Sequence, residues 1–206
     1  RDPRRDHVHG RIWRVTARKR PLMKRQDLTR ESIPDLVSHL SSEAIWIRRQ
    51  ARRVLQEKPR QTRPQILTAL AERLASLDPS DTIDGSDLSG ESTALELLWT
   101  HQALNAPAPR LLTRLLTAHD PRIRAAACRV AGEWPGVADA AVAARARDSH
   151  PRVRLEAVRA IARLGRNVLP RALAALDLER DTELEYALWL TAWERRSKWL
   201  GELKDG

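Results

Sequence analysis

Four groups of side chains in this sequence have chemistry to offer: a pair of histidines, an acidic loop, one cysteine, and arginines that recur at a fixed spacing. His7 and His9 would fall on one face of an extended segment, as two metal ligands do, but a closed zinc site needs further ligands and none stands nearby. Residues 78–91, DPSDTIDGSDLSGE, have the outline of a calcium loop: counted from Ser80, Gly85 falls sixth and Glu91 twelfth. The match fails where the charge should be, because Ser80 and Thr82 replace carboxylates and Leu88 takes a ligand position. The stretch reads as a solvated connection. Cys128 follows Ala127 inside an apolar-periodic run and reads as a small core residue. His39, His101, His119 and His150 are scattered singly along helices or at their starts, where surface or capping roles are expected. The chain has no Cys-x-x-Cys-His, no Gly-rich phosphate loop, no His-Glu-x-x-His, and no nucleophile with a suitable His and acid in order. These residues assign no catalytic group, no cofactor-binding group and no metal ligand.

The arginines differ because they come in register. DPRIRAAACRVAGEW at 120–134 is echoed by HPRVRLEAVRAIARLG at 150–165: at an offset of 30, Pro121 meets Pro151, Arg122 meets Arg152, Arg124 meets Arg154 and Ala127 meets Ala157. Self-similarity at such a period marks a stacked-repeat architecture. Asp120 can accept the free amides of a first helical turn, and Pro121 sits where no amide donor is needed. Ser149 or His150 caps the second copy. Ile123, Ala127, Val130, Ala131 and Trp134, then Val153, Ala157, Ile161 and Leu164, recur at helical spacing and are the predicted buried faces. Arg122, Arg129, Glu133, Arg152, Glu156, Arg159 and Arg163 are predicted to face water. The stretch is similar to HEAT-type helical repeats, in which an Asp, a Pro, a branched apolar residue and an Arg open one helix of each pair. That resemblance implies a ladder role for Asp120, Arg124 and Arg154, with the arginines reaching acidic groups of the adjacent repeat.

Helices must supply the frame for these residues. Phe is absent, Tyr occurs once, and Leu and Ala outweigh Val and Ile, which favours helix over sheet. Seven Trp residues supply the bulk and are expected mostly in the core. Beside the two central helices, periodic runs predict helices at 33–40, 42–58, 64–77, 92–105, 109–119, 137–147, 168–178 and 182–203. The run at 42–58 carries a fainter copy of the repeat, with Ile47, Arg48, Ala51, Val54 and Leu55 on Ile123, Arg124, Ala127, Val130 and Ala131 at an offset of 76. Its Arg48, Arg49, Arg52 and Arg53 read as a solvated basic face. The last helix carries Leu184, Leu188, Trp189, Ala192, Trp193 and Trp199, and its outer face is expected to cap the stack. Residues 1–25 differ: after Gly10 the run Ile12, Trp13, Arg14, Val15, Thr16 alternates like a short strand that Pro21 ends. The predicted organisation is a basic N-terminal segment at 1–31 and, at 32–206, an all-α, HEAT-like solenoid of antiparallel helix pairs.

The net charge of +10 suggests nucleic acid until it is located: residues 1–30 hold eleven Arg and Lys against three Asp. Most of the excess precedes the repeats, which weakens a basic-groove reading. No apolar run approaches the ~20 residues needed to span a bilayer. The chain does not open on Met and reads as a piece of a longer protein. HGRIWRVTARKRPL at 9–22, LELLWTHQAL at 95–104 and EYALWLTAWE at 185–194 together resemble the large bacterial membrane-bound dehydrogenase family. In that family a glucose/sorbosone-dehydrogenase-like β-propeller precedes HEAT-like repeats and a c-type haem domain. The resemblance implies that residues 7–16 are the last propeller strand, that both redox modules lie outside this chain, and that the parent is periplasmic or exported. The expected function is a non-catalytic scaffold whose partners are proteins or neighbouring domains of the same parent. The alternative is a nucleic-acid-binding HEAT-like protein such as a helical-repeat DNA glycosylase. It requires Arg48, Arg52, Arg122, Arg152 and Arg159 to line one concave groove with an exposed Trp and an Asp.

Overall fold

A computed structural model describes residues 26–77, 89–164 and 167–196. The expected strand with His7 and His9, most of the calcium-like loop, and the last residues of the C-terminal helix lie outside them. The described residues form ten α-helices and no strand: α1 (Ile33–Ser38), α2 (Ile45–Glu57), α3 (Arg63–Ala75), α4 (Ser89–Ala103), α5 (Pro109–Leu116), α6 (Pro121–Ala131), α7 (Asp139–Arg145), α8 (Pro151–Ile161), α9 (Val168–Leu173) and α10 (Thr182–Glu194). Helices α2, α4, α6, α8 and α10 each pack on the next, and α1, α3, α5, α7 and α9 lie against that row. This is the all-helical repeat stack the sequence predicts. None of the described helices is long and apolar enough to cross a membrane.

Local chemistry sets the starts. The Asp120 carboxylate accepts the Arg122 amide at 2.7 Å with Pro121 in the first turn, and Asp181 accepts the amide of Leu184 at 2.8 Å. At α8 the cap is His150, whose Nδ1 accepts the Arg152 amide at 3.2 Å. The turn after α4 closes through Asn105 at φ 49°, while the amide of Ala106 returns to the carbonyl of His101.

One apolar interior runs through the stack. Ile123, Ala127, Val130, Ala131 and Trp134 are buried, as are Val153, Ala157, Ile161 and Leu164. Leu36, Leu55, Leu98, Leu112 and Leu116 are wholly inaccessible, each stabilising the fold by about 1.5–3 kcal/mol. Leu28, ahead of the first helix, is buried in the same interior. Between α6 and α8 the seam is close enough to favour glycine: a Cβ on Gly132 would stand 3.1 Å from the Ala160 Cα.

Two expectations are corrected here. Glu156 does not face water; it is 1% exposed, because Arg129 and Arg152 close over it. Among the described tryptophans only Trp134 is buried; Trp46 and Trp99 are half-buried, and Trp189 and Trp193 are 56% and 52% exposed. The repeats have small side chains at their helix contacts, which leaves little room for indole rings there.

Candidate functional site

Arg48, Arg124 and Arg154 make the same local contact in three different turns. In each, Nη1 donates to the carbonyls six and five residues earlier: Ser42 and Glu43, Ala118 and His119, Asp148 and Ser149. Those carbonyls lie in the turn just before the helix, so each guanidinium ties its helix to the preceding chain. The remaining donors reach forward along the row. Arg48 Nε binds Glu96 of α4 at 2.9 Å. Arg124 makes a two-pronged contact to Asp148, just before α8, at 2.9 and 2.8 Å. Arg154 reaches the Glu179 carbonyl, just before α10, at 2.6 Å, and its buried Nε has no hydrogen-bond partner.

The acids that receive these arginines are buried. Asp148 and Glu96 are 7% and 6% exposed. Burial works to raise the Asp148 carboxyl, but the Arg124 hydrogen bonds, the His150 amide and the charges of Arg124 and Arg145 outweigh it and hold the group below the ordinary aspartate value. Glu91, the last position of the calcium-like loop, is also buried, and it accepts the amides of His119 and Asp120 at 2.6 and 3.1 Å. It is a structural acceptor at the start of α6. Asp120 is not the acceptor of the ladder; its carboxylate caps α6 and pairs with Arg122 at 2.7 Å. The bond to Arg122 holds Asp120 below the usual aspartate value against the opposing effect of burial.

The five basic residues expected to face a partner are each engaged by a carboxylate of this chain. Arg48 and Arg52 converge on Glu96, and Arg52 lies over the Trp99 ring at 5.4 Å; both are only 24% exposed. Arg152 and Arg159 gather around Glu156 with Arg129, which reaches across from α6 at 2.7 Å. Arg122 is occupied by its own cap. Arg48 and Arg52 are thus half-buried, drawn toward Glu96.

The sequence reading missed Asp148, Glu96 and Glu156 as the acids that matter. Asp148 stands two residues before its cap, whereas Asp120 is itself the cap, so the repeat offset does not align them. Cys128 is fully buried, and burial pushes its thiol up to about 12, so it is not poised as a nucleophile. Burial lowers the His101 pKa against the opposing effect of the Ala106 carbonyl, to which its Nδ1 is bonded at 3.0 Å. Among the described residues no three His, Cys, Asp or Glu side chains gather as a metal site.

Residues 108–188 match the family described as HEAT repeats, which makes α5 to α10 a HEAT-like repeat region. Neither the curated proteins nor the solved structures give a match to the chain.

Proposed function

We propose that this chain is a non-catalytic scaffold that holds other protein modules at a set spacing and orientation. The observation that carries it is the arginine ladder. Arg48, Arg124 and Arg154 commit their donors to the joints between successive helices, so the strongest polar groups stiffen the stack instead of meeting a substrate. The resemblance at 9–22, 95–104 and 185–194 supports placing this scaffold in an exported, haem-containing dehydrogenase-like parent acting on a sugar or an alcohol. A c-type haem is attached through two cysteines, and this chain has one, sealed in the core, so the haem would belong to another module. Reading the flanking coding sequence tests the parent: propeller strands upstream and a Cys-x-x-Cys-His downstream are expected, and their absence overturns it.

Of the arginines the nucleic-acid reading requires, Arg122 is 81% exposed beside Asp120, and Arg152 and Arg159 are 52% and 60% exposed. The shared pairing of Arg152 and Arg159 with Glu156 removes part of that charge. A salt titration against duplex and single-stranded DNA separates the two readings. A scaffold shows weak binding that vanishes when residues 1–25 are removed, whereas several phosphate contacts on the repeats would cost about a thousandfold in affinity between low and moderate salt.

A further inference from the structure

The outer face of α10 does not close the stack with polar groups. Tyr186, Trp189 and Trp193 are 61%, 56% and 52% exposed and form a continuous ladder, neighbouring rings lying 5.9 Å apart with interplanar angles of 26° and 12°. The Arg196 guanidinium extends it, 4.2 Å from the Trp193 ring. The three caps Asp120, His150 and Asp181 align this face with its counterparts. On that register Tyr186, Trp189 and Trp193 take the positions of Ala125, Cys128 and Gly132 in α6 and of Leu155, Val158 and Ala162 in α8. Cys128 and Val158 are wholly buried, Gly132 lies against Ala160 of α8, and the Ala162 carbonyl accepts a bond from Arg195 beyond α10. The ladder therefore holds the register that is largely buried in α6 and half-buried or buried in α8.

We propose that a second copy of this chain covers it, with two α10 helices packed antiparallel about a two-fold axis. The charge pattern fits this occupant, and within its own chain Glu185 lies 3.9 Å from Arg180. Glu183 and Glu185 lie in the first turn of α10, and Arg195 and Arg196 follow its last. Glu185 stands four residues before Trp189 and Arg196 three after Trp193, so the two-fold that lays ladder on ladder brings Glu185 of each copy to Arg196 of the other. Within one chain these residues are eleven apart, roughly 16 Å along a helix, and out of reach of each other. Stacked Trp and Tyr at the centre with opposite charges at the ends is the composition of a specific interface. One helix pair buries less than the ~1,200 Å² of standard complexes, so the dimer is weak, with a Kd of micromolar order.

Sedimentation analysis from about 1 µM to about 500 µM tests it, the range spanning a Kd of this order. The mass should rise from the 23.4 kDa monomer toward twice that value. Trp189→Ala combined with Trp193→Ala should raise Kd at least about 30-fold. Glu185→Arg and Arg196→Glu should each weaken the dimer about tenfold, and the two combined should return it to within about threefold of the parent. All four side chains are exposed, so circular dichroism should show each variant folded. A chain monomeric at the top of the range overturns the proposal. So do tryptophan variants that dimerise like the parent, or a charge exchange that fails to restore association.

Discussion

Arg124 and Asp148 show what a single residue contributes. The pair joins α6 to the turn before α8 with two short bonds, and its side chains are only 14% and 3% exposed. Removing one partner strands the other in a poorly hydrated place, so Arg124→Gln should cost about 2–3 kcal/mol in denaturant unfolding. The pH dependence has a definite sign. Because the folded-state Asp148 pKa lies below the unfolded one, its stabilisation is complete above about pH 4 and is lost as pH falls through the lower folded value. Asp148→Asn removes that contribution, so its deficit against the parent should be largest near neutrality and shrink on acidification, as read from melting temperatures. Arg154 offers the converse case. Its Nε lacks a partner, and Glu179, two residues before the cap Asp181, occupies the place that Asp148 holds before His150, yet contributes only its carbonyl. Glu179→Asp should bring a short carboxylate to that nitrogen and raise stability by about 1 kcal/mol.

At the scale of elements, the seams depend on small residues. The α6–α8 contact brings Gly132 against the backbone of Ala160, which has no flexible end to move aside. Gly132→Val should push the helices apart and cost about 2 kcal/mol by chemical denaturation, despite valine's lower unfolded-state entropy. The same smallness at Ala125 and Cys128 lets α8 approach, whereas the matching positions of α10 carry large, exposed rings. The helix starts need no such tertiary support. Asp, Pro and His at the heads of α6 and α8 are sufficient on local grounds to begin a helix.

For the whole molecule, a linear stack means that stability passes from neighbour to neighbour. A lesion at the centre should divide it, and one near an end should fray only that end. Arg124→Gln is therefore expected to raise amide exchange on both sides of the α6–α8 joint. Arg154→Gln, which loosens the turn before α10, should raise exchange in α9 and α10 while leaving α1 to α3 protected. Uniform loss of protection in both variants would show a single cooperative unit. The distribution of charge belongs at this scale too: the arginines of the repeats are set against buried Glu96, Asp148 and Glu156, so their number overstates the positive surface they present.

Sequence periodicity by itself determined that the described residues form a row of helices, which faces of α6 and α8 are buried, and where those helices begin. Caps and apolar spacing act within one or two turns, so they can be read from consecutive residues. Which acid each arginine meets was decided by the tertiary structure, since Arg48 and Glu96 are 48 residues apart and Arg129 and Glu156 are 27 apart. The same holds for Glu156, whose carboxylate looks solvent-facing on a lone helix and is buried once the Arg129 of the neighbouring helix folds over it. Leu184, Leu188, Trp189, Ala192 and Trp193 were readable as an apolar stripe, but a stripe is core or surface only according to whether another helix lies beside it, and that is a property of the assembled stack.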